Sequence, residues 1–197
     1  MTVSTAFELP TFRPAVLADL TGISMIEKAE FKDRAYPYFV IRQLYDLHGA
    51  RWLVAEIDNE LVGYAIVAVG NDDRAWVLTL AVAPPFVRRG FGSALLERAV
   101  SHCASTAIKQ IFLTVRPGND PAERLYRKLG FIPAAHEPRY FGPDEPRDVL
   151  VRNVDPGHDP SAFADSASDI WRKNTVRPTG HRLLHDPAPV IKSIGDP

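Results

Sequence analysis

The chain of 197 residues has a single cysteine, Cys103. That scarcity excludes an intramolecular disulfide framework and any zinc site built on cysteines. Excess charge is missing too: 23 Lys and Arg face 24 Asp and Glu, a formal net charge of -1. No global field therefore favours nucleic acid or an anionic membrane surface. Long apolar runs are also lacking, and a stretch such as 61–69 is strand-sized, far short of a membrane span. Met1–Glu8 has neither a basic region nor an apolar stretch of the signal-peptide kind. These absences lead to the expectation of a soluble cytoplasmic protein with no metal, nucleic-acid or membrane partner. Oligomeric state is left open. What is present is 46% hydrophobic and 24% charged residues, enough in a chain of this length for one sizeable core.

The most informative stretch is 77–96. Val77–Val82 reads as a buried strand, Pro84-Pro85 as its stop, Val87-Arg88-Arg89-Gly90-Phe91-Gly92-Ser93 as a basic loop, and Ala94-Leu95-Leu96 as a helix. A strand feeding such a loop into a helix N-terminus suits a pyrophosphate. Backbone N–H groups point outward there, the helix dipole is positive, and the arginines add full charge. Gly90 supplies φ > 0 for the turn, and Gly92 removes a Cβ where backbone would approach a phosphate. The same residues also make an ordinary surface turn before a helix, so this motif alone leaves both readings open.

Around it, periodicity predicts the order β-α-α-β-β-β-α-β-α-β-β. Leu17, Leu20, Ile23 and Ile26 recur at helical spacing, and a second helical stretch spans 39–47, closed by His48-Gly49. Strands over 52–57 and 61–69 flank Asp58-Asn59-Glu60 as a hairpin. Leu95, Leu96, Ala99, Val100 and Cys103 mark the inward face of the third helix, which gives Cys103 a structural role. Asn119 is the expected N-cap of the fourth, with Pro121 in its first turn and Gly130 as its left-handed stop. An α/β (α+β) fold follows: one domain over 10–154, with a mixed, mostly antiparallel sheet and helices on both faces. From 155 to 197 prolines, glycines, serines and aspartates dominate without a period, and a loosely ordered tail is expected.

Three segments together carry a resemblance. They are the strand and loop ending Arg88-Arg89-Gly90-Phe91-Gly92-Ser93, then Leu113-Thr114-Val115-Arg116-Pro117-Gly118-Asn119 with Leu125-Tyr126 and Gly130-Phe131, and last Arg139-Tyr140-Phe141-Gly142. In this order and spacing the chain resembles the GNAT superfamily of acetyl-CoA-dependent N-acetyltransferases. Within it, the ribosomal-protein N-terminal alanine acetyltransferases and their N-α-acetylating relatives are the most similar. The resemblance implies that backbone groups of Leu80, Ala81 and Val82 pair with the pantetheine arm. It implies that Arg88, Arg89, Gly90, Phe91, Gly92 and Ser93 hold the pyrophosphate, that Asn119 touches the cofactor, and that Tyr126 is the general acid. Tyr36 and Tyr38 in an early loop, with Tyr140 and Phe141 in a late one, would line the acceptor groove. Read from the residues alone, Asn119 is a helix cap, Tyr126 a core aromatic, and the loop aromatics rim packing.

Two positions depart from the family pattern. Val87 replaces a polar residue, which matters little where phosphate contacts are largely backbone. Thr114 stands where the ribosomal-protein acetyltransferases carry a glutamate base, and a threonine at best holds a water. Deprotonating a lysine of pKa ~10.4 at neutral pH costs about 3.4 units, whereas an α-amine of pKa ~7.7–8.0 costs about one. The expected reaction is therefore direct acetyl transfer from acetyl-CoA to a primary amine, with a protein or peptide N-terminus as acceptor. A small-molecule amine acceptor and a non-catalytic acyl-CoA-binding module are the alternatives. Glu56, His48, His136 and Glu137 are candidate substitute bases.

Overall fold

The computed structural model describes residues 9–70 and 73–154. The segment read as a tail, 155–197, lies outside the described residues. The elements are β1 (Thr11–Pro14), α1 (Leu20–Phe31), α2 (Tyr38–His48), β2 (Leu53–Ile57), β3 (Glu60–Val69), β4 (Arg74–Val82), α3 (Phe91–Ala104), β5 (Gln110–Val115), α4 (Asp120–Lys128), β6 (Ile132–Glu137) and β7 (Arg147–Asn153). Their order is the one that periodicity predicts. They build one seven-stranded sheet of order β1-β2-β3-β4-β5-β7-β6. Neighbouring strands run antiparallel except β4 and β5, which are parallel.

Local chemistry explains the turns. Asp58 and Asn59 take φ of 51° and 64° between β2 and β3, the two left-handed positions that a tight hairpin turn requires. Gly130, at φ 79°, ends α4 as expected. Gly49 differs from expectation. Its φ is -55°, so it is no left-handed stop, and the chain continues into a 3-10 turn over Gly49–Arg51. A Cβ there would lie 2.6 Å from the Tyr45 ring. Close packing, rather than backbone handedness, is what calls for glycine.

The sheet is covered on both faces. On one, β2–β5 and β7 contribute Ala55, Ala65, Leu80, Leu113 and Leu150 to a core with Leu95, Leu96, Val100 and Cys103 of α3 and Tyr126 of α4. On the other, Val54, Tyr64, Ile66, Leu78 and Ala81 pack against Leu20, Ile23, Ile26 and Phe31 of α1 and Ile41 of α2. Burial of these side chains at about 25 cal/mol per Å² drives both layers.

One irregularity sets up the rest. Against β3, Thr79 pairs with Ile66 and Val77 with Val67, so Leu78 is an extra residue in β4. A bulge of this kind bends its strand and increases local twist. The ladder of β4 with β5 covers Arg74–Trp76 and Gln110–Phe112, and the bulge follows at once. Beyond Trp76 the two strands part. The edge of β4 at Leu80–Val82 that is turned away from β3 thus lies outside the β5 ladder.

Gly63 of β3 sits directly across from Val82. A Cβ at Gly63 would stand 3.0 Å from the Ala81 carbonyl oxygen and 3.2 Å from Leu95 Cδ1. Backbone on one side and a buried leucine on the other leave little room to yield. Gly63→Ala is expected to cost about 1–3 kcal/mol, read as a lower midpoint in thermal or urea unfolding.

Candidate active site

The strands diverge at the end of β4, where several of the predicted residues lie. Leu80, Ala81 and Val82 are buried on β4, paired with Ala65, Tyr64 and Gly63 on one edge. Immediately after them the chain turns through Pro84–Phe86 and a loop in which Arg88 and Gly90 take φ of 62° and 84°. That loop ends at Gly90, the N-cap of α3, which has no side-chain cap. The first-turn amides of Phe91, Gly92 and Ser93 consequently have no partner within the helix and face the loop. Arg88 and Arg89 are exposed beside them. The Arg89 guanidinium is steadied over the Phe86 ring at 5.2 Å, and Phe86 stacks on Phe91 at 6.5 Å. Amide donors, a positive helix end and two cations thus converge where β4 ends.

Tyr126 and Thr114 lie on opposite faces of the sheet. Tyr126 lies on α4, buried in the α3–α4 core, with its ring edge-on to Phe131 at 6.1 Å. Thr114 pairs with Val149 in β5 and is 1% exposed. Strand alternation sets it on the same face as Phe112, whose neighbours include Val149, Trp76 and Tyr140. Asn119 caps α4: its Oδ1 accepts from the Ala122 N–H at 3.3 Å, the cap read from sequence. Its own N–H reaches back to the Arg116 carbonyl at 3.1 Å, so the turn after β5 is fixed from both ends.

The aromatic loops only partly converge. Tyr36 is buried in the α1–α2 core, and Phe141 packs against that same core. Tyr140 and Phe141 meet edge to face at 4.8 Å. Burial, then the nearby Glu27 and Tyr140, raise the Tyr36 hydroxyl well above a normal phenol. Burial, then Glu137, raise Tyr140 as well, against a smaller opposing effect of Arg147. Both stay neutral donors at neutral pH. Tyr38, by contrast, stands 47% exposed at the first position of α2.

Glu27 is the residue that sequence reading passed over. It is fully buried on α1. Its carboxylate accepts from the Tyr36 N–H at 2.8 Å, from the Tyr64 hydroxyl, and from the Thr79 hydroxyl at 3.2 Å. One side chain thereby joins α1, the early aromatic loop, β3 and the bulged part of β4. The signal was available: Leu20, Ile23, Glu27 and Phe31 fall on one helical face, so a carboxylate occupies an apolar stripe. Such a group must be hydrogen-bonded to be tolerated.

The substitute bases are distributed unevenly. Glu56 is engaged by Arg13 at 2.7 Å on the far sheet edge. His48, at the end of α2, has its pKa lowered by burial and by Arg51. His136 Nδ1 lies 2.7 Å from Asp148. Glu137, paired in register with Arg147, is near enough to Tyr140 to influence its titration. Burial pushes the Cys103 thiol up to about 11, which removes it as a nucleophile.

Residues 18–131 match the Acetyltransferase (GNAT) family. The chain belongs to that family. An N-α-acetyltransferase of Sulfurisphaera tokodaii is 30% identical over 131 residues, 60% of this chain and 78% of that protein. A ribosomal protein bS18-alanine N-acetyltransferase of Salmonella typhimurium is 31% identical over 123 residues, 61% and 82% of the two chains. Among solved structures, Ard1 of Thermoplasma volcanium superposes with a TM-score of 0.68 at 27% identity, covering 74% of this chain and 97% of its own. The acetyltransferase class and the fold expected from sequence are both borne out. No helix among the described residues is long and apolar enough to cross a membrane.

The carboxyl of Glu145, within this acetyltransferase's late loop, is held below the usual carboxylate range. Burial would raise it, but hydrogen bonds and charge from Arg116, Arg34 and Arg147 together outweigh that. A depressed folded pKa stabilises above the unfolded value of ~4.3 and is lost as pH falls through the folded value. Glu145→Gln is therefore expected to make the acid limb of thermal midpoint against pH shallower below about pH 4.

Proposed function

We propose that this GNAT enzyme acetylates the α-amine of a protein or peptide N-terminus. The carrying observation is the pairing of a cofactor-shaped half-site with an acceptor half-site that has threonine, not a carboxylate, at position 114. Relatives named for N-terminal acetylation support the same acceptor. Acetyl-CoA, as co-substrate, supplies the thioester. Its extended arm fits the edge of β4 at Leu80–Val82 by strand addition, and its pyrophosphate fits the amides and arginines of 88–93. Asn119 would border the same channel from the start of α4.

At neutral pH an α-amine loses its proton at a cost of about 1–1.4 kcal/mol, against roughly 4.6 kcal/mol for a lysine. A site without a strong carboxylate at Thr114 can meet the smaller cost through a water held by Thr114 or through Glu137. The neutral amine then attacks the thioester carbonyl and the C–N bond forms; the added nitrogen gives up a further proton to solvent, and the C–S bond breaks with CoA leaving as thiolate. Tyr126 donates a hydrogen bond to the departing sulfur. As a phenol of pKa ~10 against a thiol of ~8.5, it acts chiefly by stabilising charge. Tyr36, Tyr140 and Phe141 would flank the acceptor chain, with Tyr38 at the outer rim. Transfer is direct, because the one thiol is buried and protonated.

Acetyl-CoA consumption should be measured against N-terminal peptides, lysine peptides with blocked N-termini, and small amines. N-terminal peptides should be preferred, with kcat/KM rising to a plateau near an apparent pKa of ~8. Preference for a small amine would overturn the acceptor, and CoA binding without turnover would make the domain a binding module. Tyr126→Phe should lower kcat by about 10²-fold or more with CoA affinity unchanged. An unaltered rate would remove Tyr126 from the mechanism.

A further inference from the structure

The late loop, residues 138–146, packs through Tyr140 and Phe141 and is ion-paired to other elements through the carboxylate of Glu145. Glu145 meets Arg34 Nη2 at 2.9 Å, Arg116 Nη2 at 3.1 Å and Arg147 Nη1 at 3.2 Å. These guanidiniums come from three places: the α1–α2 connection, the turn just beyond β5, and the first residue of β7. Each stands next to a part of the groove. Tyr36 follows Arg34 by two residues, Thr114 precedes Arg116 by two, and Tyr140 and Phe141 precede Glu145 by a few. Arg147 is buried, and its guanidinium lies 4.6 Å from the Phe141 ring centroid. The loop's own backbone turns on the same residue, with the Phe141 N–H donating to the Glu145 carbonyl and the Glu145 N–H to the Gly142 carbonyl, both at 3.3 Å.

We propose that Glu145 is the positioning residue of the acceptor groove. By gathering Arg34, Arg116 and Arg147 it sets the distance between the early wall at Tyr36 and the late wall at Tyr140 and Phe141. It also registers both walls against the end of β5. The role of these walls rests on the reading of the groove given above; the ion-pair cluster itself does not. Glu145 keeps about a quarter of its side chain exposed, and ion pairs of that exposure add little to global stability. Groove geometry is far more sensitive, since a displacement of about 1 Å near a reacting group can cost 10²-fold in rate. Loss of Glu145 should thus be felt in acceptor handling before it is felt in folding.

The test uses the full chain with Glu145→Gln, Arg34→Gln, the double variant and Arg34→Lys. The acceptor is whichever amine the unsubstituted protein turns over best. Glu145→Gln should raise acceptor KM about tenfold, with CoA affinity by calorimetry within about twofold. The double variant should be no worse than Glu145→Gln alone, because both remove one interaction. Arg34→Lys should keep most of the unsubstituted KM. Hydrogen exchange should quicken in 138–146 and 32–38 and stay unchanged in β4. An unmoved acceptor KM, an equal loss of CoA affinity, or unaltered exchange in both loops would each overturn the proposal. Absence of N-terminal peptide turnover would instead overturn the acceptor reading, while exchange and the small-amine kinetics still decide on Glu145.

Discussion

The parting of β4 from β5 is the constraint on which the remainder depends. Two parallel strands pair for three residues, and then an extra residue at Leu78 bends one of them away. A closed ladder would satisfy those backbone groups within the sheet and leave no slot. The opened ladder exposes a strand edge between two packed layers, which is expensive unless something extended completes it. Helix α3 begins where that edge ends, so its uncapped amides lie in line with the slot. Tyr126 and Thr114 belong to opposite layers of the sheet.

The layer carrying α1 and α2 is organised by a second constraint, the buried carboxylate of Glu27. A charged group among Leu20, Ile23 and Phe31 would be costly alone. Its three hydrogen bonds turn that cost into a specific arrangement, because Tyr36, Tyr64 and Thr79 must all face it. The early aromatic loop is thereby fixed relative to the bulged strand. Glu145 ties elements together in a comparable way near the surface, with three arginines as partners. One acid works from within the core, and the other from its margin.

Much of this was legible in the residues. Element order, the Asp58-Asn59 turn, the Asn119 cap and the Gly130 stop are local events, dictated by side-chain and φ preferences within a few positions. The motif at 88–93 is local as well, since a loop and the helix it opens are contiguous. Gly49 was misread because the reason for glycine there is a neighbouring ring and not the backbone angle. Glu27 was missed because its partners are 9, 37 and 52 residues away, and helical periodicity shows only that a carboxylate faces inward.

The sequence by itself determined the family and the class of chemistry, because contiguous segments encode both. Only the tertiary structure decided where β4 and β5 part, that Tyr126 and Thr114 lie on opposite faces of the sheet, and that Glu27 and Glu145 each gather partners from several elements. Those arrangements arise between residues distant along the chain. Strand register and packing bring them together, and neither can be read from any single stretch.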